Sequence, residues 1–322
     1  MERREFLVTA AAGAAAIAGM SPRARAQAAE RASSAKLDRI SIMTLNFQAL
    51  LKVPDTQPSP ERTLELFDLP AMIADTYGVH KVEFQHYHIA STEPAYLKDL
   101  RGAIEKSKSR MTQINVEFGA ELTFSVTSQR YRTMTVDLTK RWVDHAVALG
   151  AQRVMVNQGT LTHVNKEWAI PTLKLMADYG KSKNIIVSVE TRGGGGGGRG
   201  RGAAAPGAPA PPPPPPPPPG LPDTSPGRNA LLAEVIKAAG SYSNVDVGGA
   251  AAANQQELHD CIRMMFPFTA GSMHTRVNAN WDLATCIRFM EKELGWKGLY
   301  TIETGQGHAG TKEIFDVVVA TL

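Results

Sequence analysis

Glu190, Asp246, His274 and Glu303 each directly follow an apolar residue in a strand-like segment, and each carries a side chain able to bind a divalent cation. Three carboxylates gathered without a cation would repel and raise one another's pKa, a cost that a divalent ion removes. Three oxygen ligands and one imidazole suit a fairly hard ion: manganese first, with magnesium, cobalt, iron or zinc as the others. The plainer alternative is that these groups form salt bridges with neighbouring lysines and arginines. Further polar side chains stand at similar places. Glu83, with His86 and His88 just beyond it, lies near the end of one strand-like segment; Asn157-Gln158 closes another; Arg276 lies two residues after His274. His163 and His308 fall in loops and, taken singly, read as solvated histidines.

These residues can meet only if the fold gathers them, and the chain alternates strand-like with helix-like segments from residue 37 to its end. Strand patterns cover Leu37–Phe47, Val79–Phe84, Met111–Phe118, Arg153–Val156, Ile185–Val189, a short stretch around Val245, Phe268–Met273 and Gly298–Ile302. Ile185–Val189 is apolar apart from Ser188, close to what is expected of a strand buried on both faces. Between the strands lie helical patterns. Ser59-Pro60 offers a cap and first-turn proline for a helix through Asp75, and Pro94–Lys108 follows the second strand. Asp137 is placed to cap a helix whose Leu138, Trp142, Ala146 and Leu149 fall at helical spacing. Trp168–Gly180, Asn229–Gly240, Gln255–Phe266, the stripe Leu283, Ile287, Met290 and Leu294, and Thr311–Leu322 complete the series.

Such alternation requires a parallel sheet with right-handed crossovers. Eight βα units predict a closed (β/α)8 TIM barrel, α/β in class and a single domain. No glycine-rich phosphate fingerprint follows the first strand, which argues against a dinucleotide fold. In a parallel barrel every strand's C-terminal end opens on one mouth, so Glu83, Asn157, Glu190, Asp246, His274 and Glu303 are expected to converge there.

The rest of the 322-residue chain sets boundaries on function. Arg3-Arg4-Glu5-Phe6-Leu7, an apolar run to Met20 and the small-x-small triplet Ala24-Arg25-Ala26 read as an export signal over residues 1–26, with residues 27–36 as a disordered linker. The Arg-Arg-x-Phe-Leu order resembles a twin-arginine (Tat) signal, which implies the Tat export machinery as a partner and a periplasmic protein. An ordinary secretory signal and an uncleaved anchor are the alternatives, and the run is too short and Ala-rich to span a bilayer stably. Beyond residue 26 the excess of basic over acidic residues falls to two, which leaves no footprint for nucleic acid. Cys261 and Cys286 lie in helical patterns and read as buried thiols or one bridge between neighbouring helices; two cysteines exclude a disulfide scaffold. Residues 193–227, with six consecutive glycines and nine consecutive prolines, cannot bury a core and are expected to form a disordered loop after the fifth strand. A mobile lid or a docking strand for a proline-binding partner is the functional reading of that loop, and a tolerated low-complexity expansion the other.

The strings Val189-Glu190-Thr191, Val245-Asp246-Val247-Gly248, Met273-His274-Thr275-Arg276 and Tyr300-Thr301-Ile302-Glu303 resemble those of the xylose isomerase-like TIM barrels, Tat-signal-bearing members above all. That superfamily holds sugar isomerases, ketose 3-epimerases, inosose dehydratases and a DNA-repair endonuclease. The resemblance covers residue 37 to the end apart from the low-complexity segment. It implies Glu190, Asp246, His274 and Glu303 as metal ligands, with Glu190 and Glu303 also the catalytic acid–base pair working through an enediolate. It implies Glu83 as a substrate or neighbouring contact and Arg276 as a group that steadies substrate oxygens. His86 and Asn157 are further candidates for substrate binding. Two positions depart from the epimerase pattern: Gly248-Gly249, where Gly-Asn is usual, and Asn280, where an arginine is common.

A metal-dependent sugar isomerase or epimerase is thus the leading expectation, with a small-molecule carbohydrate as substrate and a homo-oligomer as a possible assembly. A metal-dependent lyase or dehydratase acting on keto-sugars, keto-glycosides or cyclitols shares the first chemical step. A non-catalytic periplasmic sugar-binding barrel is the alternative from another class. A retaining glycosidase is disfavoured, because the ends of the fourth and seventh strands carry Asn157-Gln158 and His274 instead of paired carboxylates.

Overall fold

The computed structural model describes residues 33–53, 56–191, 217–247 and 252–322. Eight parallel strands close into a barrel in sequence order, β1 pairing with both β2 and β8. The strands are β1 (Ile40–Met43), β2 (Lys81–Gln85), β3 (Arg110–Val116), β4 (Arg153–Val156), β5 (Ile186–Glu190), β6 (Tyr242–Asp246), β7 (Thr269–Thr275) and β8 (Leu299–Ile302). The helices between and after them are α1 (Leu69–Tyr77), α2 (Pro94–Lys106), α3 (Gln129–Leu149), α4 (Lys166–Ser182), α5 (Ser225–Ala239), α6 (Gln255–Met265), α7 (Leu283–Lys292) and α8 (Gly307–Thr321). The (β/α)8 architecture is the one that the alternation predicted. Among the described residues, no helix is long and apolar enough to cross a membrane.

Successive strand side chains point to opposite faces, and the barrel sorts them sharply. Outward residues such as Val82, Ile114, Val154, Val187, Met273 and Ile302 are buried against helix residues including Ile73, Leu100, Leu173, Val235, Ile262 and Met290, forming one continuous apolar shell. The inward set is mostly polar, with Met155 beside Asn244 as an exception: Ser41, Glu83, Gln113, Asn115, Arg153, Ser188, Asn244, Ser272 and Thr301 are all buried. Branched apolar residues usually fill a barrel interior. Here side chains bond across it, with Ser41 Oγ 3.2 Å from Thr112 Oγ1, Ser272 Oγ 3.1 Å from Thr301 Oγ1, and Arg153 Nε donating to the Ala270 carbonyl at 2.8 Å.

Several local expectations are corrected. Ser59-Pro60 starts a turn instead of a helix, because Leu64 pairs with Leu51 in a parallel bridge, and α1 begins at Leu69-Pro70. Ser128, not Asp137, caps α3: its side chain accepts from the Tyr131 N–H at 3.4 Å, leaving Asp137 inside a longer helix. β1 is shorter than Leu37–Phe47, since Thr44–Phe47 turns into a 3-10 helix. Residues 33–37 are helical and not a disordered linker, and Lys36 Nζ bonds the Val319 carbonyl at 2.9 Å. The end of the low-complexity segment is likewise placed: the His163 N–H donates to the Gly220 carbonyl at 2.9 Å, and Thr224 caps α5, which begins at Ser225 instead of Asn229. The export signal at residues 1–26 and residues 193–216 lie outside the described residues, as does Gly248-Gly249. Cys261 and Cys286 are free, buried thiols.

Candidate active site

The site forms where β5 to β8 end. Glu190 and Asp246 are the last residues of their strands, His274 is next to last in β7, and Glu303 follows β8 directly. Strand pairing sets Asp246 beside His274, while Glu190 pairs with Asn244. The ends are then pinned to one another. The Asp246 N–H donates to Thr191 Oγ1 at 2.8 Å, the Val247 N–H to the His274 carbonyl at 3.0 Å, and the Glu303 N–H to the Thr275 carbonyl at 3.0 Å. Asn46, buried in the turn after β1, closes the ring by donating to the Ile302 carbonyl at 3.2 Å and accepting from the Thr304 N–H at 2.8 Å. Glu303 is thereby held between two clamps.

Three of the four expected ligands converge. One ligand atom from each of Glu190, His274 and Glu303 lies within 4.8 Å of the others, and all three residues are buried. His274 Nδ1 sits 3.0 Å from Glu190 Oε1 and 2.9 Å from Glu303 Oε2. The opposite nitrogen, Nε2, sits 2.5 Å from Glu83 Oε1. Asp246 stands apart from that trio: Arg276 Nη2 donates to Asp246 Oδ2 at 2.7 Å and to Glu303 Oε2 at 2.8 Å.

Glu83 is not the rim residue that the sequence suggested. β2 runs on to Gln85, so Glu83 lies one inward step deeper, with no solvent exposure. A register shift against β3 at this point brings Gln113 opposite Glu83, and Gln113 Nε2 and Asn115 Nδ2 donate to Glu83 Oε1 at 3.1 and 2.6 Å. This geometry sets Glu83 beneath His274, against the Nε2 side of its ring.

The electrostatics follow from burial and crowding. Burial alone would push the His274 imidazole down, but the charges of Glu83 and Glu303, with hydrogen bonds to Glu190 and Glu303, outweigh it and hold the pKa well above the usual histidine range. Burial raises the Asp246 carboxyl to about 6 against the pull of Arg276, with Glu303 and Glu190 adding to the rise. For Glu303 burial acts upward, yet His274 and Arg276 prevail and its pKa is lowered. An imidazole wedged among the three carboxylates of Glu83, Glu190 and Glu303 is the counter-charge of an anionic cavity, the setting that a divalent cation fits.

Across the mouth, His86 accepts the Glu117 N–H at Nδ1 (3.2 Å) and packs edge-on against Phe118 and Trp142, each 5.3 Å away. Asn157 is half-buried after β4, and its Oδ1 has no hydrogen-bond partner among the described residues. Gly159 lets the β4 loop approach the β3 loop: its φ is +68°, and a Cβ there would fall 2.2 Å from Thr123 Oγ1. Asn280 is exposed in a turn, its N–H bonded to Asn278 Oδ1 at 2.9 Å. Sequence reasoning missed Asn46, Gln113 and Asn115. The second-residue spacing of Glu83 with Gln85, and of Gln113 with Asn115, was the available sign of a polar inward face.

No family model matches the chain, and no curated protein does. Solved structures do, through most of its length. A xylose isomerase domain protein from Planctomyces limnophilus superposes with a TM-score of 0.61 at 12% identity, covering 88% of this chain and 96% of that one. At this identity the likeness is one of fold, a (β/α)8 barrel shared over most of both chains. A D-psicose 3-epimerase, solved in the presence of D-fructose, gives 0.60 at 12% identity over 87% and 89% of the two chains. A xylose isomerase-like barrel from Mycobacterium smegmatis, in complex with magnesium, gives 0.57 at 14% identity over 89% and 99%.

Proposed function

We propose that the protein is a metal-dependent isomerase or epimerase of a small carbohydrate, with Glu190 and Glu303 as its acid–base pair. The observation that carries this reading is the placement of His274 Nδ1 between the two glutamates, at 3.0 and 2.9 Å. If Nε2 carries the proton and donates it to Glu83, the Nδ1 lone pair is left facing Glu190 and Glu303. Glu190, His274 and Glu303 would hold a divalent cation, manganese by preference, and Asp246 is next to them to complete the set. Bound there, the ion would polarise a substrate carbonyl and stabilise charge developing on its oxygen.

The protein's own groups would carry the proton. One glutamate, ionised, takes the proton from the carbon beside the carbonyl, leaving an enediolate, and the other, protonated, gives its own proton to the opposite face for epimerisation, the pair resetting by exchange with solvent. Asn157 supplies an acceptor for a sugar hydroxyl, and the rings beside His86 a wall for the sugar's apolar face. The export signal expected at residues 1–26 would set this chemistry in the periplasm, where free sugars, glycosides and keto derivatives are the natural substrates.

The test is a screen of ketoses and keto-glycosides in D2O with added manganese. Solvent deuterium should enter the carbon beside the carbonyl, and Glu190→Gln and Glu303→Gln should each abolish its entry. Loss of a β-substituent in place of deuterium return would make the protein a lyase. A ligand bound with undiminished affinity by both variants, with no exchange in the wild type, would make it a binding protein.

A further inference from the structure

One guanidinium nitrogen of Arg276 touches two of the four expected ligands, Asp246 Oδ2 at 2.7 Å and Glu303 Oε2 at 2.8 Å. Glu303 Oε2 is also the atom 2.9 Å from His274 Nδ1. A cation held by Glu190, His274 and Glu303 would therefore draw on an oxygen that Arg276 already uses, and Asp246 Oδ2 could join only by leaving Arg276. Arginine stays protonated in proteins and is less strongly hydrated than an ammonium, so it can stand as a lasting counter-charge at a half-buried rim. Its side chain is 36% exposed, against 2% for Asp246, so it has room to swing outward while the carboxylate does not.

We propose that Arg276 is a built-in competitor of the metal ion. It neutralises Asp246 and Glu303 when no ion is bound, and it must give them up for the ion to take all four ligands. Metal affinity is thereby set by an internal cation as well as by the ligands. Once released, the guanidinium faces the mouth, within reach of a substrate oxygen. This inference rests on the cation site proposed above.

The test is manganese titration of the full chain by calorimetry, at pH 8, for the wild type, Arg276→Gln and Arg276→Lys. A unit charge within about 4–6 Å shifts an ionic equilibrium by about one to three decades. The dissociation constant should therefore fall at least about tenfold in Arg276→Gln, and Arg276→Lys, which keeps the charge, should stay near the wild type. The same Gln variant should melt lower without manganese and gain more from it. Wild-type binding with equal or weaker affinity in Arg276→Gln overturns the competition and leaves the metal site standing. Absence of manganese binding in all three proteins overturns the metal site and the inference together.

Discussion

Glu83→Gln tests whether the barrel interior tunes the site from below. The substitution keeps shape and volume but removes the charge from a fully buried position where Oε1 meets Asn115 Nδ2 at 2.6 Å, Gln113 Nε2 at 3.1 Å and His274 Nε2 at 2.5 Å. Hydrogen bonds to a charged group contribute about 1.5–3 kcal/mol and neutral ones about 0.5–1.5 kcal/mol, so fixing His274 by an amide forfeits about 1–2 kcal/mol. Loss of a group that orients a ligating histidine weakens metal binding about 10–100-fold, or about 1.4–2.8 kcal/mol at 1.4 kcal/mol per decade. The two figures agree. A second effect has the opposite sign. Glu83 helps hold the His274 pKa well above the usual range, so its loss lowers that pKa and relieves proton competition in acid. Weakening should therefore be greatest at alkaline pH and shrink as pH falls. Calorimetric titration with manganese between pH 6 and pH 8.5 reads both effects, and long-range proton–nitrogen NMR of His274 checks that Nε2 bears the proton. Unchanged affinity at alkaline pH would refute the reasoning.

Three further outcomes are expected. Asn46→Ala removes both side-chain bonds that hold the end of β8, to Ile302 and Thr304; it should cost about 1–3 kcal/mol in denaturant unfolding and lower turnover by loosening Glu303. His88, whose Nδ1 lies 2.7 Å from Thr44 Oγ1, is pushed down to about 3 by burial first, then by His86 and Arg62. The unfolded chain takes up this proton near pH 6.5 and the folded one only near 3, so stability falls with pH across that window by at most about 1.4 kcal/mol per unit; His88→Gln should flatten this part of the melting profile. Gly159→Ala should destabilise, because φ is +68° and the new Cβ would meet Thr123; thermal melting reads it, and an unchanged melting temperature would contradict the close approach described.

The barrel was legible because each strand sits between two amphipathic helices, and periodicity marks both. The end of β5 was legible because Glu190 closes a mostly apolar run at the place where the chain leaves the sheet. What escaped depended on long-range pairing. Leu64 pairs with Leu51 and so displaces the helix start expected at Ser59-Pro60, and no local pattern marks such a bridge. The sequence pattern ends β2 at Phe84, which puts Glu83 at the rim; Gln85 continues the strand and sets Glu83 one level lower. Asn46 reaches β8 across more than 250 residues of chain, and the Arg276 contacts depend on side-chain direction, which spacing does not convey.

The most direct test of the central claim is divalent metal content of the purified protein, wild type beside His274→Ala, after manganese loading and removal of free ion. The account predicts about one ion per wild-type chain, as expected of a single-ion site, and almost none in the variant. No bound ion in the folded wild type, or equal amounts in both proteins, would contradict it.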